Sequence, residues 1–241
     1  MNNFSDILNS LNEVTRQYEI FIPSLNLKTK FTGFTAKQQK EAIQSALEKE
    51  NAGIGFSILT TEYIQTNLID KNLNLLASDK NYILACLRAQ SLSNNYRTLG
   101  SESFDITPIL SNNIALPNEL KSTQLEDSDI TVNIEIPTLI KDKNINLESK
   151  KITSNNQVNY LGSLYLNEII KYIKTVKTPK ATINFDELTF NQKLQVAEKL
   201  PIVISSKVVE HINKLKDFDK TLFTVNNKYY NISIDPTLFT L

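Results

Sequence analysis

Cysteine, histidine and glycine are all scarce in this sequence of 241 residues. The single cysteine, Cys86, excludes an internal disulfide. With one histidine, His211, the chain has too few Cys and His ligands for an ordinary structural zinc site. The five glycines form neither a dinucleotide-binding G-x-G-x-x-G loop nor a Walker-type phosphate loop. These absences argue against nucleotide and zinc enzymes, and we expect no cofactor and no metal.

The formal net charge is zero, because 26 Lys and Arg balance 26 Asp and Glu. No overall field draws the chain toward nucleic acid or an anionic membrane. The longest apolar runs, such as residues 202–204, are too short to span a bilayer, and residues 1–6 are too polar to begin a secretory signal. We therefore expect a protein of a reducing cytoplasm with no nucleic-acid or membrane partner. A net charge near zero favours association with a second copy or another protein.

What is present is the composition of a folded protein, with 41% hydrophobic and 22% charged residues. The patterns predict an α+β protein, with N-terminal helices and a β-hairpin followed by a mixed helix and strand part. The pattern changes after Gly100. We therefore divide the chain into an N-terminal helical part with a hairpin, residues 1–100, and a C-terminal α+β part, residues 101–241.

In residues 1–100, a predicted β-hairpin lies among helices. Two β-prone runs, residues 19–23 and 27–31, flank a short polar turn. Thr35 and Gln38 have the spacing of a capping box, which begins a helix. The predicted apolar stripe of that helix is Ala36, Ala42, Ile43, Ala46 and Leu47. The predicted helices cover residues 5–16, 35–50, 54–68 and 78–92.

In residues 101–241, strands are predicted over residues 105–110 and 130–136, and a hairpin around the Asn226-Asn227 turn. Helices are predicted over residues 161–176 and, interrupted at Pro201, over residues 189–218. Acids outnumber bases seven to one in residues 101–135, whereas bases lead eight to three in residues 141–180. These blocks either pair within the fold, form two solvated faces or serve two partners; the solvated faces are the preferred interpretation.

No catalytic constellation is evident. His211 and Cys86 lie in apolar helical segments, and no G-x-S-x-G element marks a nucleophile, so we interpret both as structural. Three loose carboxylate pairs are present, Glu48/Glu50, Asp127/Asp129 and Asp186/Glu187. Such pairs arise by chance in a chain with this many acids. The lysines of residues 150–151 and of the series 171, 174 and 177 indicate a solvated helix face. We expect a protein that is not an enzyme.

Two segments resemble signature motifs of the T4-type bacteriophage baseplate hub family. In residues 21–40, a Pro-Ser turn leads through a basic strand into a Phe-containing segment and a helix rich in Glu, Gln and Lys. In residues 78–91, an Asp opens a helix with a Tyr-Ile-Leu core that closes on Leu-Arg-Ala-Gln-Ser. Residues 188–218 are similar, more loosely, to the family's last third. The motif positions are Pro23, Ser24, Phe31, Phe34, Asp79, Tyr82, Arg88 and Ser91.

The resemblance implies structural roles for these positions. Pro23 and Ser24 would shape the turn, and Phe31 and Phe34 would anchor the hairpin to the helices. Arg88 would hold the helix predicted over residues 78–92 in place. Some members of the family carry paired cysteines that suggest a metal site, and this sequence lacks them. No metal is therefore implied here.

The resemblance also implies a myovirus tail protein, either the baseplate hub subunit or the hub assembly catalyst, a name that denotes an assembly factor. Such a protein would act in the host cytoplasm as an assembly factor or chaperone, with the tape measure protein and other hub components as partners. We expect binding through apolar helix faces at residues 164–173 and 202–212. The alternatives are a permanent structural subunit of the virion baseplate and a tail-associated cell-wall hydrolase. The sequence shows no acid pair or nucleophile–base pair for the hydrolase.

Arg88 gives the first testable prediction, because an arginine inside an apolar helix is costly unless it is paired. We expect its guanidinium to contact a carboxylate or backbone carbonyls. The substitution Arg88→Ala should therefore lower the melting temperature, which differential scanning calorimetry would measure. A fully soluble variant with an unchanged melting temperature would contradict a buried role.

Overall fold

The structure, a computed structural model, describes residues 16–45, 52–97, 103–153 and 160–240. The predicted helix over residues 5–16 lies outside this part of the chain, apart from its last residue. The helices are α1 (Ala36–Ser45), α2 (Ala52–Asn67), α3 (Lys80–Ser91), α4 (Asn118–Lys121), α5 (Leu139–Thr153), α6 (Tyr160–Tyr172), α7 (Phe190–Glu198) and α8 (Ile202–Leu222). The strands are β1 (Gln17–Ile22), β2 (Leu27–Thr32), β3 (Asn95–Tyr96), β4 (Phe104–Asp105), β5 (Ser122–Asp127), β6 (Ile130–Glu135), β7 (Ile173–Lys177), β8 (Thr182–Asn184), β9 (Thr224–Val225) and β10 (Lys228–Tyr229). The described elements have the predicted α+β class.

The predicted N-terminal hairpin is present as β1 and β2, which pair antiparallel with Ile22 opposite Leu27. Asn26 closes the turn with φ of 52°, a left-handed conformation that asparagine tolerates. Ile20 and Ile22 are buried against the helices, whereas Lys28 is exposed on the other strand. The hairpin therefore covers the core with one strand and faces solvent with much of the other.

Helix α1 begins with the predicted capping box. The Thr35 amide donates to Gln38 Oε1 at 3.0 Å, and the Gln38 amide donates to Thr35 Oγ1 at 3.2 Å. The predicted apolar stripe is wrong in part, because Ala42 is buried while Ala36 and Ile43 are exposed. Gln38 is buried instead, and its side chain donates a hydrogen bond to Asn67 of α2, so the buried face of the helix includes a polar residue. The stripe positions Ala46 and Leu47 lie outside the described residues.

Helix α3 lies at the centre of the larger of two hydrophobic cores, and its residues from Tyr82 to Arg88 are all buried. The hairpin, α2 and α8 pack around it. The larger core also contains Leu139, Leu215 and Phe239, so residues from both sides of the predicted division at residue 100 contribute to it. The division itself remains a prediction.

The smaller core forms between a four-stranded antiparallel sheet, in the order β5-β6-β7-β8, and helices α6, α7 and α8. Val132 and Ile134 of β6 point into this core beside Ile169 and Ile173. The register of β6 and β7 shifts between Asn133 and Ile134, which marks a bulge. The sheet thus closes one side of the C-terminal helices.

Two predicted elements of the C-terminal part are wrong. The helix predicted over residues 161–176 ends at Tyr172, and Ile173–Lys177 forms β7, because these residues pair with strands on both sides. The strand predicted over residues 105–110 is reduced to β4. The 3₁₀ turn Thr107–Ser111 follows, with Pro108 in its first positions and the Thr107 amide donating to Asp105 Oδ1 at 2.8 Å.

Several other predictions are confirmed. Helices α7 and α8 are separated at Pro201. A Thr189–Gln192 capping box, which was not predicted, begins α7. Asn226 and Asn227 form the predicted turn with φ of 52° and 62°, although the flanking strands β9 and β10 are only two residues each. The acidic and basic blocks, for which two solvated faces were the preferred interpretation, also pair where Lys174 lies 3.1 Å from Glu135. Strand β5 and helix α5 were not predicted.

Asp219 connects α8 to α3 by accepting a 2.9 Å hydrogen bond from Asn81 Nδ2. Its other oxygen, Oδ1, is buried and has no hydrogen-bond partner in the described part of the chain. Burial raises the pKa of Asp219 from 3.8 to about 6, partly opposed by the bond from Asn81. Because the pKa is higher in the folded state, the contribution of this group to stability is present below pH 4 and is lost as the pH rises through 6.

We therefore predict that Asp219→Asn stabilises the protein by about 2 kcal/mol at pH 8, where it removes a buried charge, and has little effect at pH 4. Urea unfolding at the two pH values would measure this difference. Asp217→Asn, on the same helix but exposed and paired with Lys220, is the matched control. The same stabilisation at both pH values would contradict the assignment.

Candidate functional site

The two segments that carry the family resemblance contact each other in the fold. We call residues 21–40 the hairpin motif and residues 78–91 the helix motif. Their first contact joins Ser24 to Asp79, which is fully buried. The Ser24 amide donates to Asp79 Oδ1 at 2.9 Å, and the Ser24 hydroxyl donates to Oδ2 at 2.5 Å. The Leu76 amide also donates to Oδ2, at 3.0 Å. One carboxylate thus holds the hairpin turn against the start of α3.

Burial raises the pKa of Asp79 above its ordinary value. The hydrogen bonds from Ser24 and from the Leu76 amide act in the opposite direction, and so does the positive charge of Lys121. A carboxyl group that is fully buried and accepts three hydrogen bonds acts as a structural acceptor. Asp79, the acid that opens the helix motif, therefore links the hairpin turn to the start of α3 through hydrogen bonds.

The second contact between the motifs lies at the other end of α3. The Phe34 amide donates to Ser91 Oγ at 3.2 Å, and that hydroxyl donates to the Leu87 carbonyl at 2.6 Å. A Cβ atom on Gly33 would lie 2.8 Å from Ser91 Cβ and 2.9 Å from the Tyr18 ring. Glycine is therefore required where β2 leaves the sheet, because any larger residue would push the hairpin away from α3.

Arg88 connects α3 to the C-terminal segment. Its guanidinium donates to the Ser93 carbonyl and, at 2.9 Å, to the Thr240 carbonyl, and it lies 5.1 Å from the centre of the Tyr96 ring. Burial lowers the pKa of Arg88. The predicted contact to backbone carbonyls is confirmed, and it joins residues that are 152 positions apart in sequence.

The remaining motif positions also lie inside the fold. Pro23 accepts a 2.8 Å bond from the Leu116 amide through its carbonyl, and Phe31 is fully buried. The Tyr82 hydroxyl lies 2.9 Å from the Ile109 carbonyl, and the Phe34 ring packs 4.9 Å from the Phe239 ring. All eight motif positions are therefore buried or half-buried. They form a framework, and a partner would meet other residues.

The candidate catalytic residues are not arranged for chemistry. Cys86 is buried, and burial raises the pKa of its thiol to about 12, which leaves the thiol protonated and unreactive. His211 is buried on α8, its Nε2 has no partner in the described residues, and burial lowers its pKa. The side chains of Cys86 and His211 therefore fit the structural interpretation.

Among the carboxylate pairs singled out in the sequence, Asp186 of the pair Asp186/Glu187 forms ion pairs with Lys141 at 3.1 Å and with Lys174 at 2.7 Å. The pair Glu48/Glu50 lies outside the described residues. Within the described ranges, no group of three or more His, Cys, Asp or Glu residues could hold a metal ion. Among the helices described, none has both the length and the apolar character that crossing a bilayer requires.

The predicted binding faces are mostly core. In residues 164–173, Ile169, Ile170 and Ile173 are buried, and in residues 202–212, Ile204, Val208 and Ile212 are buried in the same core. The prediction is wrong for these buried residues, because an apolar helix face is the same signal whether a sheet or a partner covers it. The large hydrophobic residues of the two faces that remain exposed are Tyr165, at 44%, and the first turn of α8, where Ile202 is 74% and Val203 is 46% exposed.

Sequence reasoning missed an ionic cluster where α2, α3, α5 and α6 meet. Lys171, expected on a solvated face, is mostly buried and pairs with Asp142 at 3.0 Å and Glu168 at 2.9 Å. Nearby, Lys80 donates to Ser57 Oγ at 2.9 Å, and burial lowers its pKa to about 8. The spacing of Glu168 and Lys171 on one helix was the available signal, and it marks many exposed pairs as well.

We predict that Asp79→Ala destabilises the protein by roughly 3 kcal/mol, because it leaves the Ser24 and Leu76 amides without an acceptor. A double-mutant cycle with Ser24→Ala should give a coupling of about 1 to 2 kcal/mol in urea unfolding. Asp70→Ala, which removes an exposed carboxylate with a local bond to Asn72, is the control and should cost well under 1 kcal/mol. Additive effects of the Ser24 and Asp79 changes would contradict the shared bond.

No protein-family model, curated protein or solved structure matches this chain. Function is therefore inferred from the framework that the hairpin and helix motifs build and from the side chains that this framework leaves exposed.

Proposed function

We propose that this chain is a myovirus tail protein that acts by protein–protein contacts in assembly of the baseplate hub. The observation that carries the proposal is the meeting of the two motifs. Segments that resemble the same family at residues 21–40 and 78–91 contact each other through Ser24 and Asp79 at one end and through Phe34 and Ser91 at the other. The two segments that carry the resemblance therefore also build one framework.

The chemistry of the site supports binding rather than catalysis. The thiol of Cys86 is buried and protonated, and the acid at the motif contact, Asp79, is enclosed by its hydrogen-bond donors. Neither group can reach a substrate without opening the fold. An assembly factor needs only a rigid framework and a surface that a partner recognises.

The first turn of α8 is the surface we assign to a hub partner. Pro201 begins this helix, and Ile202 and Val203 project from it with high exposure, while Ile204 is buried beneath them. Two adjacent exposed aliphatic side chains on a fixed helix end are suited to insert into an apolar groove of a partner. By the family resemblance, that partner is the tape measure protein or another hub component.

The experiment is quantitative mass spectrometry of purified virions beside infected-cell lysate, with the tagged chain isolated from the lysate. Abundance in the lysate, absence from virions and co-purification with the tape measure protein would support the assembly factor. A fixed copy number in virions would instead make the chain a permanent baseplate subunit. Recovery of no tail protein from either source would reject the family assignment.

We predict that Ile202→Asp combined with Val203→Asp reduces recovery of the tail partner at least tenfold while the melting temperature stays within about 2 °C, since surface changes have small effects on stability. Tyr229→Asp, which alters an exposed aromatic side chain on β10, is the matched control and should retain the partner. Full recovery with the double variant would place the binding surface elsewhere.

A further inference from the structure

A cleft of about 420 Å³ opens between the start of α5, β7 and the first turns of α7. Its volume lies in the range of sites that enclose small ligands or side chains of a partner. Ile140, Ile145 and Phe190 supply the apolar part of its lining, and Ile140 is 54% exposed. Lysines 141, 174 and 193 line the cleft as well. The cleft therefore combines an apolar wall with cationic groups.

Most of the charges in the cleft are already paired. Lys174 lies 3.1 Å from Glu135 and 2.7 Å from Asp186, and Lys141 lies 3.1 Å from the second oxygen of Asp186. Glu148, at the far end of the lining, pairs with Lys151 at 2.6 Å. These ion pairs hold the side chains of Lys141, Lys174 and Asp186 in the lining of the cleft.

Lys193 differs from the other lysines of the cleft. Its ammonium group makes no ion pair and no hydrogen bond with the described part of the chain, although the residue is half-buried on α7. Burial lowers its pKa, the positive charge of Lys141 lowers it further, and Asp186 opposes this only in part. Three lysines and three acids line the cleft, but Glu148 pairs with Lys151 outside the lining, so Lys193 is the lining lysine without a carboxylate partner among the described residues.

We propose that this cleft binds a peptide segment of a partner protein in which a glutamate or aspartate stands next to an aliphatic residue. The acidic side chain pairs with Lys193, and the aliphatic side chain covers Ile140 and Phe190. Charge complementarity favours an anion, because every other cation of the cleft already has a carboxylate. This binding site does not depend on the phage assignment, and it is tested independently.

The test is an NMR titration of the full chain with the peptide acetyl-Gly-Leu-Glu-Leu-Gly-amide and with the same peptide carrying Gln for Glu. We expect the Glu peptide to shift amide resonances of residues 138–148 and 186–193 and to bind at least fivefold tighter than the Gln peptide. Lys193→Gln should abolish this preference. Lys199→Gln, an exposed lysine just after the same helix, should preserve it.

A second variant tests the apolar half of the cleft. Ile140→Ser should weaken both peptides by a similar factor, and the amide spectrum of each variant shows whether the fold is intact. Equal binding of the Glu and Gln peptides, or no shifts at 5 mM peptide, would overturn the proposal. If N-acetylglutamate alone binds as tightly as the peptide, the cleft is a site for a small carboxylate and peptide docking is rejected.

Discussion

The buried carboxylate of Asp79 is the contact on which the larger core depends. It accepts hydrogen bonds from the backbone and side chain of Ser24 and from the Leu76 amide, so it fixes the hairpin turn and the approach to α3 together. Placing an acid in the interior costs free energy that its hydrogen bonds must offset. Once α3 is fixed in this way, the hairpin, α2, α8 and the C-terminal segment can pack on its different sides.

Charged groups join the smaller core to this assembly, in addition to the apolar side chains of α8, which contribute to both cores. Lys171 and Asp142 form a mostly buried pair on α6 and α5, which half-exposed Glu168 joins, and Lys80 extends from the start of α3 toward the same junction. Apolar side chains in these positions would hold the helices together at least as strongly. Paired charges instead permit few alternative arrangements, because a shift of one helix would leave a buried ion without its partner. We infer that the cluster sets how α5 and α6 lie against α2 and α3.

How well a feature could be predicted from the sequence depends on how far apart in the chain the interacting residues lie. The capping boxes at Thr35 and Thr189, the break at Pro201 and the Asn226-Asn227 turn depend on neighbouring residues, and all are present. The segment after Tyr172 looked helical because its apolar spacing continues, yet β6 and β8 pair with it. Likewise, the contact between Ser24 and Asp79 joins residues 55 positions apart, and no local pattern specifies it.

The same distinction bears on function. The positions that resemble the phage family are buried or half-buried, so they report on how the chain folds. A partner instead meets exposed residues, such as Ile202 and Val203 on α8 or Ile140 and Lys193 at the cleft, and none of these belongs to either motif. Two chains could therefore share the whole framework and still bind different proteins. Substitutions in the framework test the fold, whereas substitutions at these exposed positions test the partner, and the two kinds of evidence have to be obtained separately.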